Sequence, residues 1–234
     1  MRGVLFDFGG TLDTGGVHWS RKFEELYRSA GLPIRREALD AAFVWSEQQL
    51  LLDGEIPRAT LRQTLDKQLA LQFSFLRLEG KNGVRKEMLD RCYDDVVRTA
   101  SAAAAVLSGA RPEYRTGVVS NFYGNLSIVC EELGLAKHLD VMIDSALVGI
   151  RKPDPEIFRL AARKLPAAPA ETFVVGDSYE RDIVPAKSIG CRTIWLKGPG
   201  WSAPSSTAAA DYTIESLEEL KPILARAAAG GAQH

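Results

Sequence analysis

The amino-acid sequence predicts an α/β fold, in which a doubly wound, Rossmann-like parallel sheet forms the core and a small all-helical cap domain is inserted into it. Short apolar segments recur along the chain, and each is followed by a turn and then by a helical pattern. A stretch of about one hundred residues after the first segment carries only helical patterns. Strands that alternate with helices indicate a parallel sheet with crossover helices, whereas the purely helical stretch indicates a second, smaller domain.

Six short apolar segments are the predicted strands of this sheet. In chain order they occupy residues 4–6, 116–119, 141–143, 173–175, 192–196 and 212–214. Their nearly continuous apolar character is typical of parallel strands whose two faces are both covered by helices. We therefore expect helices on both sides of the sheet.

The helical stretch contains four predicted helices, at about residues 17–30, 36–52, 58–76 and 84–108. Each carries apolar residues at helical spacing, and Gly- or Pro-containing breaks separate them. We assign residues 1–14 and 94–234 to the core domain and residues 15–93 to the cap, which we expect to act as a lid. The last ten residues, 225–234, have no core pattern, and we expect them to be frayed.

The composition is that of a soluble globular protein. Of the 234 residues, 46% are hydrophobic and 25% are charged, which excludes disordered and fibrous classes. The net charge of −1 gives no electrostatic support for a nucleic-acid partner or a membrane partner. The three cysteines are dispersed, as in a reduced compartment, and the apolar run at residues 4–6 is too short for a signal peptide. We therefore expect a cytoplasmic protein.

Polar residues follow three of the predicted strands, at the carboxyl ends where open parallel sheets place their ligand sites. Asp7 follows the first strand, Ser120 and Asn121 follow the second, and Asp177 follows the fourth, with Asp182 one helical turn later. Any one of these residues is common in a turn. Their combined placement indicates that they converge in one crevice and form a functional site.

These residue types suit phosphoryl transfer. A carboxylate such as Asp7 can attack phosphorus and form an aspartyl-phosphate. Carboxylate and phosphate repel each other, so the attack needs a divalent cation, which Asp177 and Asp182 are suited to bind. The hydroxyl of Ser120 and the ammonium of Lys152 are suited to hold the equatorial phosphate oxygens.

The same residues lie in four ordered motifs that resemble those of the haloacid dehalogenase superfamily of phosphotransferases and hydrolases. The motifs are DFGGTLD at residues 7–13, VVSN at 118–121, RKPDP at 151–155, and GDS at 176–178 followed by an aspartate at 182. The helical stretch after the first motif resembles the family's helical cap at that point. The resemblance extends from residue 1 to about residue 220.

The resemblance implies a role for each matching residue. Asp7 would be the nucleophile, assisted in catalysis by Ser120 and Lys152. Mg²⁺, the implied cofactor, would be held by Asp7, the backbone oxygen of Gly9, Asp177 and Asp182. The residues implied to bind substrate and phosphate are Gly10, Thr11, Ser120, Asn121 and Lys152. The implied partner is a small phosphorylated metabolite.

Position 9 departs from the pattern of the family's phosphatases, which usually carry a second aspartate there. That aspartate protonates the leaving oxygen and later activates water, a role typically worth about 10²–10⁴-fold in rate. Gly9 keeps the backbone carbonyl that would bind the metal, but it has no group that can transfer a proton.

Three interpretations of Gly9 are open. The protein is a phosphatase whose leaving group needs little protonation or whose acid comes from the cap or the substrate, and this is our prediction. Alternatively, it cleaves phosphonates, which would require a cap lysine such as Lys22, or it is a binding module with little or no turnover. The dehalogenase branch works without metal, and the presence of Asp177 and Asp182 argues against it.

Three further residues receive predictions outside the catalytic set. We expect the loop around Glu55 to contact the leaving group. We interpret Asp13 as a helix-capping or hinge residue without a chemical role, and His18 as a surface or packing residue.

Overall fold

The computed structural model describes residues 1–200 and 207–230 of the chain. The predicted core range 94–234 therefore includes residues 201–206 and 231–234, which lie outside the described residues. Within the described part, no helix combines the length and the apolar character needed to cross a membrane.

A six-stranded sheet forms the centre of the fold, with the strand order β3-β2-β1-β4-β5-β6 and every neighbouring pair parallel. The strands are β1 (Arg2–Phe6), β2 (Tyr114–Ser120), β3 (Val141–Asp144), β4 (Thr172–Gly176), β5 (Arg192–Leu196) and β6 (Tyr212–Ile214). The predicted fold class and all six predicted strands are confirmed. The strand order reverses at β1, which pairs with both β2 and β4, and such a switch point opens a crevice at the carboxyl ends of the strands.

Helices cover both faces of the sheet. The α-helices of the described residues are α1 (Trp19–Ser29), α2 (Arg36–Leu52), α3 (Leu61–Phe75), α4 (Asn82–Ala110), α5 (Leu126–Glu132), α6 (Ser145–Val148), α7 (Glu156–Lys164), α8 (Val184–Ser188) and α9 (Leu220–Gly230). The four helices predicted between β1 and β2 are confirmed as α1–α4. One of them, α4, runs without interruption through residue 94, where the domain boundary was predicted.

Helix α9 corrects the prediction of a frayed end at residues 225–230. It continues to Gly230, because Leu224 is buried in the core and Ala227 and Ala228 pack against it. The other residues of that prediction, 231–234, lie outside the described part.

Alternate side chains of the strands enter two apolar clusters. On β1, Val4 and Phe6 belong to a cluster that includes residues of α4 and α9 and extends into α1 and α3. Leu5 points to the other face, where the cluster includes residues of α7 and α8. This alternation follows from the two-residue period of a strand and explains why both faces of the sheet are apolar.

Hydrogen bonds fix the beginning of α3 above the carboxyl end of β2. Thr60 caps the helix in a reciprocal pair with Gln63. Asn125, which is fully buried, donates from Nδ2 to the carbonyl of Ala59 at 2.8 Å and to the Thr64 hydroxyl at 3.0 Å. The insertion, by which we mean the helical segment between β1 and β2, therefore covers the crevice at the switch point.

Candidate active site

The crevice holds a cluster of three carboxylates. Asp7 follows β1, Asp177 follows β4, and Asp182 lies in the helical turn Tyr179–Ile183 after β4. One oxygen of each lies within 4.8 Å of an oxygen of the other two. The three side chains are buried, and the predicted convergence of these aspartates is therefore observed.

Lys152 lies inside this cluster. Its ammonium is 2.6 Å from Oδ1 of Asp7 and 2.6 Å from Oδ1 of Asp182, and it donates to the carbonyl of Val119 at 3.2 Å. Burial lowers the pKa of Lys152, but the charges of Asp182 and Asp7 outweigh burial and raise it. The lysine is therefore held in its charged form.

The cluster carries an excess of negative charge. Among the described residues of the cluster, three carboxylates face the single ammonium of Lys152. Burial and the charges of Asp7 and Asp182 raise the pKa of Asp177, and burial raises the pKa of Asp182 to about 7. Uncompensated buried charge is costly, and carboxylate oxygens are the ligands that Mg²⁺ prefers, so the residues fit a divalent cation.

Gly10 and Thr11 position Asp177. Gly10 has φ +98°, and a Cβ atom on it would lie 2.4 Å from Oδ1 of Asp177, so only glycine fits this position. The hydroxyl of Thr11 donates to Oδ1 of Asp177 at 3.2 Å and accepts the Asp177 backbone N–H at 3.1 Å. Both residues were predicted to bind phosphate, and the contacts they make here position a carboxylate.

Asn121 positions Lys152. Its side-chain oxygen accepts the Lys152 backbone N–H at 2.8 Å, and its Nδ2 donates to the Lys152 carbonyl at 3.0 Å. Ser120 is buried at the end of β2 and lines the same cavity as Asp7 and Lys152. Phosphate binding by Asn121 and Ser120 is a prediction.

Gly9 faces the insertion. Among the described residues, the atoms within 4 Å of a Cβ built on Gly9 belong to Trp19, with Cδ1 and Nε1 both at 3.7 Å. Position 9 therefore has room for a side chain that points toward the indole ring.

Asp13 lies in the cavity and is buried, a position that its sequence context did not indicate. Its Oδ1 accepts the backbone N–H of Gly10 at 2.8 Å, and its Oδ2 accepts the indole N–H of Trp19 at 2.8 Å. Burial raises the pKa of Asp13 to about 7, against the lowering effect of these two hydrogen bonds. Asp13 thus connects the loop that follows β1 to α1.

Residues of the insertion form the opposite wall of the cavity. They are His18, Trp19, Glu47, Leu61, Thr64, Leu65 and Gln68. Sequence reasoning did not identify Glu47, because a single glutamate on a helix carries no local signal. His18 was interpreted as a surface or packing residue, but it lines the cavity, where burial and the charge of Arg181 lower its pKa to about 4.

Two residues of the proposed cap, Glu55 from the predicted contact loop and Lys22 from the phosphonate alternative, lie away from this cavity. Glu55 is not among the described residues that line the cavity, and it borders a separate surface depression near Lys67. Lys22 pairs with Asp95 at 3.6 Å and lines a different cavity. The structure therefore gives the phosphonate interpretation no support from Lys22.

Comparisons with known proteins agree with the motifs. Residues 1–190 match the family model described as haloacid dehalogenase-like hydrolase. The chain is 34% identical over 125 residues to haloacid dehalogenase-like hydrolase domain-containing protein 3 of Bos taurus, a match to 52% of this chain and 50% of the relative, so the chain spans about half of that relative's length. It is 26% identical over 242 residues to the phosphoglycolate phosphatase of Shigella dysenteriae serotype 1 (strain Sd197), covering 96% of this chain and 92% of the relative.

A solved structure supports the fold. A dehalogenase crystallised as an intermediate complex matches with a TM-score of 0.64 and 21% identity, covering 95% of this chain and 96% of that protein. At this identity the match shows a shared fold and does not extend to the reaction.

Proposed function

The chain belongs to the haloacid dehalogenase-like hydrolases, and from that membership and the geometry of the crevice we propose that it is a Mg²⁺-dependent phosphatase of small phosphorylated metabolites. The observation that carries this proposal is the buried cluster of Asp7, Asp177 and Asp182 around the ammonium of Lys152. Such a cluster combines a nucleophile, a cation site and a fixed positive charge.

Mg²⁺ would be held by Asp7, Asp177, the backbone oxygen of Gly9 and Asp182, the last directly or through water. When bound, it would neutralise the repulsion between the nucleophile and the phosphate group. The excess negative charge of the cluster supports this assignment, since the ammonium of Lys152 balances only part of it.

The residues of the chain would carry out the transfer in two displacements. In the first, an oxygen of Asp7 bonds to phosphorus as the bond to the leaving oxygen breaks. Because Gly9 supplies no proton, the leaving oxygen would depart as a stable anion or take its proton from the cap or the substrate. Ser120 and Lys152 would hold the equatorial oxygens, where the charge of the transition state is spread. In the second, water attacks phosphorus and gives up a proton, which balances the proton taken up by the leaving group, the bond to Asp7 breaks, and inorganic phosphate leaves.

The insertion would act as a cap that selects the leaving group. Residues 15–93 are the proposed cap and residues 1–14 and 94–234 the proposed core, with α4 continuous between them. Because α1, α2 and α3 supply one wall of the cavity, their movement would admit substrate and exclude water.

The test is the Asp7→Asn variant, assayed with p-nitrophenyl phosphate and acetyl phosphate in Mg²⁺ or in EDTA. We expect wild-type turnover in Mg²⁺, and a loss of about 10³-fold or more both in EDTA and in the variant, because the nucleophile and the cation act together. Asp94→Asn, at an exposed position, is the matched control and should retain wild-type rates. Full activity in Asp7→Asn would refute the proposal.

A further inference from the structure

Glu47 lies on the wall of the cavity that belongs to the insertion. It is on α2, and the polar residues Thr64 and Gln68 of α3 and Tyr123 of the loop after β2 line the same cavity. The leaving group of a phosphate ester bound at Asp7 would extend toward this wall, because the carboxylate cluster occupies the other side.

Two hydrogen bonds fix the Glu47 carboxylate through one of its oxygens. Oε1 accepts from Nε2 of Gln68 at 2.7 Å and from the hydroxyl of Tyr123. Oε2 has no hydrogen-bond partner among the residues described, 1–200 and 207–230. Glu47 therefore offers an oriented acceptor to a molecule in the cavity.

The chemistry of that acceptor defines what it can bind. A carboxylate oxygen takes a hydroxyl or an ammonium donor and repels another carboxylate. Leu61, Leu65 and Phe122 line the same cavity, so the acceptor has apolar neighbours that increase the cost of leaving it unpaired.

Nearby positive charge favours the hydroxyl over the ammonium. Burial raises the pKa of Glu47, while the charges of Arg151 and Arg181 act in the opposite direction, and Arg181 also lines the cavity. An ammonium group of a substrate at Glu47 would be repelled by these arginine charges, whereas a neutral hydroxyl would not.

We propose that Glu47 is a specificity-determining residue, and that the substrate is the phosphate ester of an alcohol bearing at least one further hydroxyl group, rather than of a hydroxy acid. This inference rests on the proposed phosphatase function. It separates the chain from its relative named phosphoglycolate phosphatase, whose name specifies a leaving group with a carboxylate.

A matched series of two-carbon phosphate esters tests the inference. The series is 2-hydroxyethyl phosphate, ethyl phosphate, 2-aminoethyl phosphate and 2-phosphoglycolate, which differ only at the far carbon. We expect wild-type kcat/KM to be at least about tenfold higher for 2-hydroxyethyl phosphate than for the other three, because the unpaired acceptor would be satisfied only there.

The Glu47→Gln variant should change the ratios between substrates. It replaces an acceptor by an amide and removes the negative charge, so the preference for 2-hydroxyethyl phosphate over 2-phosphoglycolate should fall about tenfold or more. A purely structural role would lower all four rates together and leave the ratios intact, which would overturn the inference. Glu37→Gln, at an exposed position in the first turn of the same helix, should keep the wild-type ratios.

Other outcomes are also decisive. A wild-type preference for 2-phosphoglycolate or for 2-aminoethyl phosphate would refute the hydroxyl assignment. If thermal unfolding shows that Glu47→Gln is misfolded, Glu47→Asp is the second variant. It keeps the charge but withdraws the acceptor, so it should lose the preference for 2-hydroxyethyl phosphate over ethyl phosphate. An absence of turnover with p-nitrophenyl phosphate and acetyl phosphate as well would instead count against the phosphatase function itself.

Discussion

Single residues determine the geometry of the crevice through very short contacts. Gly10 leaves the space that the Asp177 carboxylate occupies, and a Cβ on Gly176 would likewise lie 2.4 Å from Oδ2 of Asp182. Lys152 lies 2.6 Å from both Asp7 and Asp182. Gly10 and Gly176 are thus explained by the carboxylates that lie against them, and not by turn conformation alone.

Position 9 is the residue whose substitution we expect to add activity. Its backbone (φ −72°, ψ 112°) is ordinary for any amino acid, and a Cβ there meets Trp19 at 3.7 Å. Gly9→Asp should therefore fit and supply a proton donor to a poor leaving group. We expect kcat for ethyl phosphate to rise about 10²-fold, with a much smaller change for p-nitrophenyl phosphate, whose leaving group needs little protonation.

The comparison of the two substrates identifies the cause of any gain. An equal gain with both would indicate better binding or folding, and not proton transfer. No gain with ethyl phosphate, in a variant with wild-type thermal stability, would show that the acid comes from elsewhere or that another part of the machinery limits the rate.

At the scale of elements, α1 is joined to the loop that carries Asp7 by the hydrogen bond from Trp19 to Asp13. The indole donates to a buried carboxylate oxygen, while the other oxygen holds the Gly10 N–H. A movement of α1 would therefore disturb the loop that carries Asp7. Hydrogen bonds to charged groups contribute about 1.5–3 kcal/mol, so this contact is a substantial part of the link between insertion and sheet.

Trp19→Phe tests this link. The variant removes the donor and leaves Oδ2 of Asp13 unpaired, so we expect the free energy of unfolding at pH 8 to fall by about 2–4 kcal/mol, including lost packing. Urea denaturation followed by circular dichroism measures it. Trp45→Phe is the control. The Trp45 ring, on α2, packs against Phe75 of α3, and we expect this substitution to lower the free energy of unfolding by less. An equal loss in both variants would contradict a special role for the bond to Asp13.

At the scale of the whole molecule, parallel strands and crossover helices bring distant motifs to one edge of the sheet. The ion pair of Lys152 and Asp7 joins residues 145 positions apart in the sequence, and β1 lies between β2 and β4. Concentrating these carboxylates in a buried crevice stores unfavourable electrostatic energy, which should be visible in the global stability.

Stability without metal should therefore fall as the pH rises. Burial raises the pKa values of Asp13 and Asp182 to about 7, and burial and neighbouring charge raise that of Asp177. From about pH 4 to pH 7 the folded state keeps protons that the unfolded state has released. The contribution of these carboxyl groups to the free energy of unfolding is therefore present at low pH and is lost as the pH rises past about 7. In EDTA, we expect the free energy of unfolding to decrease by about 2–4 kcal/mol between pH 5 and pH 8.

Mg²⁺ should reverse this loss selectively. Cation binding favours the ionised carboxylates, and at one hundred times its Kd a ligand adds about 2.7 kcal/mol to stability. The gain on adding Mg²⁺, measured by urea denaturation, should therefore be larger at pH 8 than at pH 5. A gain that does not depend on pH would contradict binding at these carboxylates.

The amino-acid sequence by itself determined the strands, most of the helices and the edge of the sheet at which the candidate site lies. Local periodicity located the six strands and helices α1–α4, because burial on one or both faces leaves a regular apolar pattern. The rule that parallel strands place ligands at their carboxyl ends identified Asp7, Ser120 and Asp177 before any contact was known. Helix α9 was missed at residues 225–230, because an alanine-rich segment carries little apolar pattern.

Only the tertiary structure decided the contacts between segments that are far apart in sequence. Glu47 and Tyr123 are separated by 76 positions, and nothing in either neighbourhood indicates that they share a hydrogen bond. Asp13 was interpreted as a capping or hinge residue, and only the packing of α1 places the Trp19 indole against it. Glu55, expected to contact the leaving group, borders a separate surface depression. Local patterns report which face of an element is buried, but the partner of a side chain depends on how helices pack against one another, and that arrangement exists only in the folded chain.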